Sequence, residues 1–237
     1  MEIKIYSDVI CPFCYIGKTR LDNVLTSMGI TQNIEYEWKA FLLNPNGSSE
    51  ADKKLPYKEY LRIHKQSSVD RINQATDYIV AAGKAEGLDI NYSKMIPAGT
   101  IDAHRLSKMA HSIGKEDEAQ QLLMKAFFTE GKDLEKTETL IEAGLKIGLE
   151  EEKIKEMLSG NDYLHEVIAD FREAQHMAIQ GVPHFIINDK YTIHGAQPQE
   201  EFMTLINRIV KEEAEQNPTQ NNNGLVCEDE FCEIPDK

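Results

Sequence analysis

The chain is poor in cysteine, in basic charge and in long apolar runs, and each shortage narrows its function. Only four cysteines occur in 237 residues. They fall in two close pairs, Cys11/Cys14 and Cys227/Cys232, so this does not read as a disulfide-braced secreted fold. Lys and Arg number 26 against 40 Asp and Glu, a formal net charge of −14. Nucleic acid is therefore not an expected partner, since phosphate binding calls for a basic face; the acid excess serves solubility. No stretch of 18 apolar residues occurs, and the sequence predicts no membrane span. No basic n-region or apolar h-region precedes the first predicted strand, so the expectation is a cytoplasmic protein. His64, His111, His165, His176 and His194 lack metal-ligand spacing such as His-x-x-x-His, and no metal is expected.

What is present is ordinary for a globular protein, 41% hydrophobic and 28% charged, at a length that allows one or two domains. Met1 to Tyr6 alternates apolar and polar side chains as a half-buried strand does, and helical spacing follows from Pro12 onward. Cys11-Pro12-Phe13-Cys14 thus lies where a strand hands over to a helix. Pro12 suits the first helical turn. Cys11 sits at the helix mouth, where unpaired N–H groups and the dipole favour a thiolate. Cys14 begins a stripe continued by Leu21, Val24, Leu25 and Met28, so it is expected to face inward while Cys11 stays exposed. Cys11 is then the attacking thiol and Cys14 the resolving one. Lowering the Cys11 pKa from ~8.5 to ~7 takes roughly 2 kcal/mol, much of which a helix terminus supplies. As a staple the pair would close too small a loop, worth only ~2 kcal/mol. As half of a zinc site it would need two further ligands, with only Cys227 and Cys232 as other cysteines. Strand, Cys-x-x-Cys and helix together favour redox chemistry, with structural zinc and an inert pair as the alternatives.

Further along, Ile34 to Pro45 reads as a second strand, making a βαβ unit with a parallel pair. Gly47-Ser48-Ser49 reads as a plain connector. From Leu55 to Met177 helical spacing dominates, over Tyr57–His64, Val69–Gly87, Thr100–Gly114, Ala119–Thr129, Glu138–Leu145, Glu151–Leu158 and Tyr163–Met177. Thr100 is a candidate N-cap for the helix carrying His104, a histidine read as a surface or packing residue. Gln180 to Asn188 and Tyr191 to Ala196 then form a hairpin across Asp189-Lys190, and Gln197 to Gln216 is an amphipathic helix. The division expected is a split α/β domain, residues 1–55 and 178–216, with a helical domain over 56–177 inserted. Residues 217–237 form a flexible acidic tail.

Cys-Pro-Phe-Cys after a first strand, Gly181-Val182-Pro183 opening a later one, and a helical insertion between them resemble the DsbA-like thioredoxin-fold family. Within it the resemblance is to the FrnE-type cytoplasmic branch, through Phe41-Leu42-Leu43-Asn44-Pro45 and Asp102-Ala103-His104-Arg105-Leu106 as well. The match covers about residues 1 to 212. It implies an α/β, thioredoxin-like fold with a large α-helical insertion. It implies thiol–disulfide exchange by Cys11 and Cys14 on protein or peptide disulfides, with thioredoxin or glutathione as electron partner and no cofactor beyond the dithiol. It also implies a cis Val182-Pro183 bond facing the pair, leaving the Val182 backbone free to pair with an extended substrate. Phe13 stands where the strongly oxidising relatives place a His, which predicts a potential on the reducing side of the ~−120 mV end. His184, after the proline, is a candidate for tuning Cys11.

Beyond the matched residues, FrnE-type proteins are found with a C-terminal cysteine pair, which makes Cys227 and Cys232 a candidate second redox pair. A flexible linker over 216–226 spans ~18 Å root-mean-square, enough to visit Cys11. Glu228, Asp229 and Glu230 raise both thiol pKa values and make this a slow partner. A local tail disulfide and a metal-binding tail are the alternatives. Two other functions compete with exchange. Glutathione-dependent isomerases of the 2-hydroxychromene-2-carboxylate type and kappa-type transferases resemble the same fold but generally present a serine at the position of Cys11. A zinc- or partner-binding module would use all four cysteines.

Overall fold

A computed structural model describes residues 1–216. The expected flexible tail, with Cys227 and Cys232, lies outside the described residues. Strand β1 (Glu2–Ser7) is the alternating segment at the start of the chain. Helix α1 (Pro12–Ser27) crosses back to β2 (Glu35–Ala40), which pairs parallel with β1. Much later β3 (His184–Ile187) pairs antiparallel with β1, and β4 (Tyr191–His194) antiparallel with β3. The sheet order is β2-β1-β3-β4. Helix α10 (Gln199–Gln216) closes the described chain.

Side chains two apart on a strand share a face, and the core follows that rule. Ile3, Ile5, Phe185 and Ile187 pack on one face of the sheet with Leu21 and Val24 of α1 and Phe202 and Ile206 of α10. Tyr6 and Ile186 point to the other face, against Ala174 of α9 (Leu164–His176). The strands are shorter than the apolar runs that announced them. β2 ends at Ala40, with Phe41 N–H making a last bond to the Ser7 carbonyl at 2.8 Å, and Gly181-Val182-Pro183 stay out of β3.

Between β2 and β3 the described residues are helical, in α3 (Tyr57–His64), α4 (Val69–Ala85), α5 (Ile101–His111), α6 (Glu116–Lys125), α7 (Thr137–Lys146), α8 (Glu151–Ser159) and α9. A π-helical turn, Ala126–Glu130, extends α6. Ahead of them the connector Gly47-Ser48-Ser49 carries no regular structure, as read, and a one-turn helix that the spacing did not announce, α2 (Glu50–Lys53), follows it. The reason is local: the Ser49 hydroxyl accepts from Asp52 N–H while the Asp52 carboxylate accepts from Ser49 N–H, a capping box.

The helices also close the exposed edge of β2, which would otherwise offer unpaired backbone groups. Trp38 N–H donates to Glu116 Oε2 at 3.5 Å, Lys108 Nζ donates to the Trp38 carbonyl at 2.5 Å, and Ala40 N–H donates to Asp170 Oδ2 at 3.0 Å. Lys108 is also 2.8 Å from Asp170, so the charges are paired where they are buried. Burial raises the Glu116 pKa, with Lys108 and His111 pulling it back.

Candidate active site

At the end of β1 the chain turns through Asp8, and Cys11 N–H donates to the Asp8 carbonyl at 2.9 Å. Cys11 is the extended N-cap residue of α1, with φ −90° and ψ 110°, and proline opens the helix behind it. Its carbonyl accepts from Cys14 N–H at 3.0 Å and Tyr15 N–H at 3.3 Å. No acidic side chain occupies the first turn, so nothing there opposes the positive end of the helix. Both thiols are free.

The two sulfurs differ, although not as exposure alone predicts. Cys11 is 5% exposed and Cys14 1%. The expectation of a solvent-exposed Cys11 is corrected, because the helical region folds over the helix mouth. Cys11 instead opens on a cavity of about 490 Å³, lined also by Phe13, Tyr57, Tyr60, Tyr92, Ile79 and Val182. Its thiol donates to the Val182 carbonyl at 3.5 Å. Burial and the neighbouring Cys11 sulfur push the Cys14 thiol well up, with Ser7 and the Asp8 backbone acting in the other direction. Burial also raises the pKa of Tyr57 and Tyr92, and negative charge on Cys11 adds to both.

The Val182-Pro183 peptide bond is cis. The Pro183 carbonyl accepts from Gly195 N–H at 2.7 Å, which ties the loop to the end of β4. Among the described residues, Val182 N–H makes no backbone hydrogen bond. Gly17 allows this loop to reach α1: a Cβ there would lie 3.0 Å from Pro183 Cγ and 3.3 Å from Phe185 Cζ. A glycine inside a helical pattern is the signal that could have found it.

Asp8 is another residue that sequence reasoning missed. It is fully buried and accepts from Leu43 N–H at 2.7 Å and Ile10 N–H at 3.3 Å. His104 Nε2 lies 3.5 Å from Asp8 Oδ1, so of the two readings of this histidine, surface or packing, packing holds: it is 2% exposed beside the motif loop. Thr100 occupies the N-cap position of α5 but its hydroxyl caps nothing; Thr100 Oγ1, Ser7 Oγ and His104 Nε2 are buried without hydrogen-bond partners. His184, a candidate tuner of Cys11, is turned away by the pleat. Its Nδ1 is 2.7 Å from His194 Nδ1 and its ring meets Tyr6 edge-on. Burial, then His194, lowers its pKa. Among the described residues no group of three His, Cys, Asp or Glu is placed to hold a metal, and no helix is long and apolar enough to cross a membrane.

Comparison with known proteins agrees with this architecture. The model of the DSBA-like thioredoxin domain family matches residues 2–207. The Bacillus subtilis protein YwbO, itself uncharacterized, is 27% identical over 205 residues, 85% of this chain and 94% of its own. The crystal structure of a probable DsbA oxidoreductase from Streptomyces coelicolor superposes with a TM-score of 0.79 at 26% identity, covering 100% of both chains. The cytosolic disulfide reductase DsbM from Pseudomonas aeruginosa, solved with GSH, shares the fold at a TM-score of 0.60 and 13% identity, over 89% of this chain and 100% of its own.

Proposed function

The chain belongs to the DSBA-like thioredoxin domain family, and from that premise we propose that it exchanges thiols and disulfides with protein or peptide substrates through Cys11 and Cys14. One observation carries the proposal: the Cys11 sulfur, at the mouth of α1, faces both an open cavity and the Val182 backbone beside the cis proline.

In the reducing direction the Cys11 thiolate attacks one sulfur of the substrate disulfide. A mixed disulfide forms and the first substrate thiolate leaves, taking up a proton from solvent. Cys14 then loses its proton and attacks Cys11. The Cys11–Cys14 disulfide forms, the second substrate thiolate leaves and takes up the proton that Cys14 gave up, and two electrons and two protons have passed to substrate. The reverse sequence oxidises substrate dithiols. Burial keeps Cys14 protonated until the mixed disulfide sits beside it, so it does not compete as the first nucleophile.

The FrnE-type branch, a cytoplasmic address and glutathione or thioredoxin as electron partner belong to the same proposal. The presence of GSH in the DsbM structure supports glutathione as a candidate. A second redox role for Cys227 and Cys232, which lie outside the described residues, is part of the proposal as well.

The test is insulin reduction by wild type, Cys11→Ser, Cys14→Ser and a chain ending at Gln216. Cys11→Ser loses at least about 10³-fold in rate, as removal of a nucleophile does. Activity unchanged in Cys11→Ser rejects the proposal. Glutathione-dependent turnover that survives Cys14→Ser replaces it with the isomerase or transferase reading. Full activity of the truncated chain removes Cys227 and Cys232 from the exchange.

A further inference from the structure

A second cleft, of about 540 Å³, shares Gly181 and Val182 with the dithiol cavity and is lined also by Met177, His184 and His194. None of these last three takes part in the exchange proposed above. The histidines stand ten residues apart in sequence, a separation that carries no metal-ligand signature. The sheet brings them together: Tyr6, His184 and His194 are register partners across β1, β3 and β4, and side chains directly opposite one another share a face. The two Nδ1 atoms come within 2.7 Å, with ring centroids 4.4 Å apart and planes at 59°. Tyr6 meets the His184 ring edge-on and donates its hydroxyl to Met177 Sδ at 3.3 Å, so the thioether belongs to the same cluster.

Two neutral imidazoles that face each other through Nδ1 hold one proton between them, and a metal ion competes with that proton. Binding needs neutral rings. Burial, then His194, lowers the His184 pKa, which keeps that ring neutral at neutral pH. The net charge of −14 favours the approach of a cation. Spacing then discriminates among metals. Two metal–nitrogen bonds of about 2.0 Å set at right angles separate their nitrogens by about 2.8 Å, against about 3.3 Å at the tetrahedral angle. The observed 2.7 Å fits the tetragonal geometry of Cu(II) and is too short for tetrahedral zinc. Thioether sulfur likewise suits copper.

We propose that His184 and His194 chelate one copper(II) ion through their Nδ1 atoms, with Met177 as a weak third ligand and water in the remaining positions. The shared proton leaves to solvent and the ion keeps its oxidation state. It sits beside the bond from Gly195 N–H to the Pro183 carbonyl, whose residues adjoin the two histidines in sequence, and it takes no part in the chemistry of Cys11 and Cys14.

The experiment titrates the full-length protein with Cu(II) at about pH 7.5, above the ordinary histidine pKa, after oxidation of its cysteines so that no thiolate competes. Wild type should bind one ion per chain, with an EPR spectrum split by two imidazole nitrogens. His194→Gln, at an exposed position, and His184→Gln should each weaken binding by about 10-fold or more, since even changes outside the ligand shell cost that much. Met177→Leu should weaken it by less than either. His64→Gln, in the dithiol cavity, should leave it unchanged. A signal without imidazole nitrogen, the absence of a stoichiometric site, or His184→Gln and His194→Gln binding as wild type does overturns the proposal. Insulin reduction has no part in this test, so the failure of either reading leaves the other standing.

Discussion

Two clefts share Gly181 and Val182, the residues that lead into the cis proline. One, about 490 Å³, holds Cys11 among aromatic rings; the other, about 540 Å³, holds His184 and His194 with Met177. Pro183 and His184 are neighbours in sequence, yet Pro183 packs toward Gly17 of α1 and His184 toward Tyr6 on the opposite face. His184 opens β3 and pairs with Tyr6, while Pro183 lies in the loop ahead of the strand. Adjacency in sequence to the proline therefore does not bring an imidazole to the sulfurs, whereas Tyr57 and Tyr92, remote in sequence, do arrive.

The sharpest way to break the contrast is at Asp8, which anchors the loop on the sulfur side. Asp8→Ala leaves the Leu43 and Ile10 N–H groups without their acceptor and strips His104 of its carboxylate neighbour. A loss of about 3–5 kcal/mol in unfolding free energy is expected, measured by urea denaturation. A loss under about 1 kcal/mol would show that the loop is held by other contacts. Less severe is Gly17→Ala, which forces Pro183 and Phe185 outward by a few tenths of an ångström from contacts of 3.0 and 3.3 Å. It should cost about 1–3 kcal/mol, as overpacking does, and slow disulfide exchange. Unchanged stability and rate would mean that the proline loop yields freely.

The smallest effect belongs to the histidine cleft. His184 has a folded pKa below its ordinary 6.5, so the unfolded chain takes up the proton first as pH falls. The folded state is then progressively disfavoured below about pH 6.5. Urea midpoints of wild type and His184→Gln, compared from pH 7.5 to 5, should show the steeper decline in wild type. Parallel curves would remove His184 from the pH dependence, while exchange by Cys11 should respond far less to this substitution than to Gly17→Ala.

Much of the architecture was written locally. The α3 boundaries Tyr57–His64 match the apolar spacing, and Gly and Pro punctuation set most other helix limits to within a few residues. The missed α2 had its signal too, in Ser49 and Asp52 three residues apart. The site was half legible. Cys11, Pro12 and Cys14 could be placed at a helix mouth because that is a matter of neighbouring residues. Asp8 and His104 could not be joined, since nothing in either segment marks the other. The burial of Cys11 was likewise invisible, as it depends on helices supplied by the middle of the chain.

Sequence alone determined which segments are strands and helices, where the dithiol sits on its helix and which sulfur faces the core, because backbone propensity and side-chain period act over a few residues. Tertiary structure alone decided that Cys11 opens on an aromatic cavity instead of on bulk water, that His184 turns to His194, and that Asp8 meets His104. Those outcomes depend on how distant segments pack, and packing is settled by the total area and polar groups buried, which no short window of residues contains.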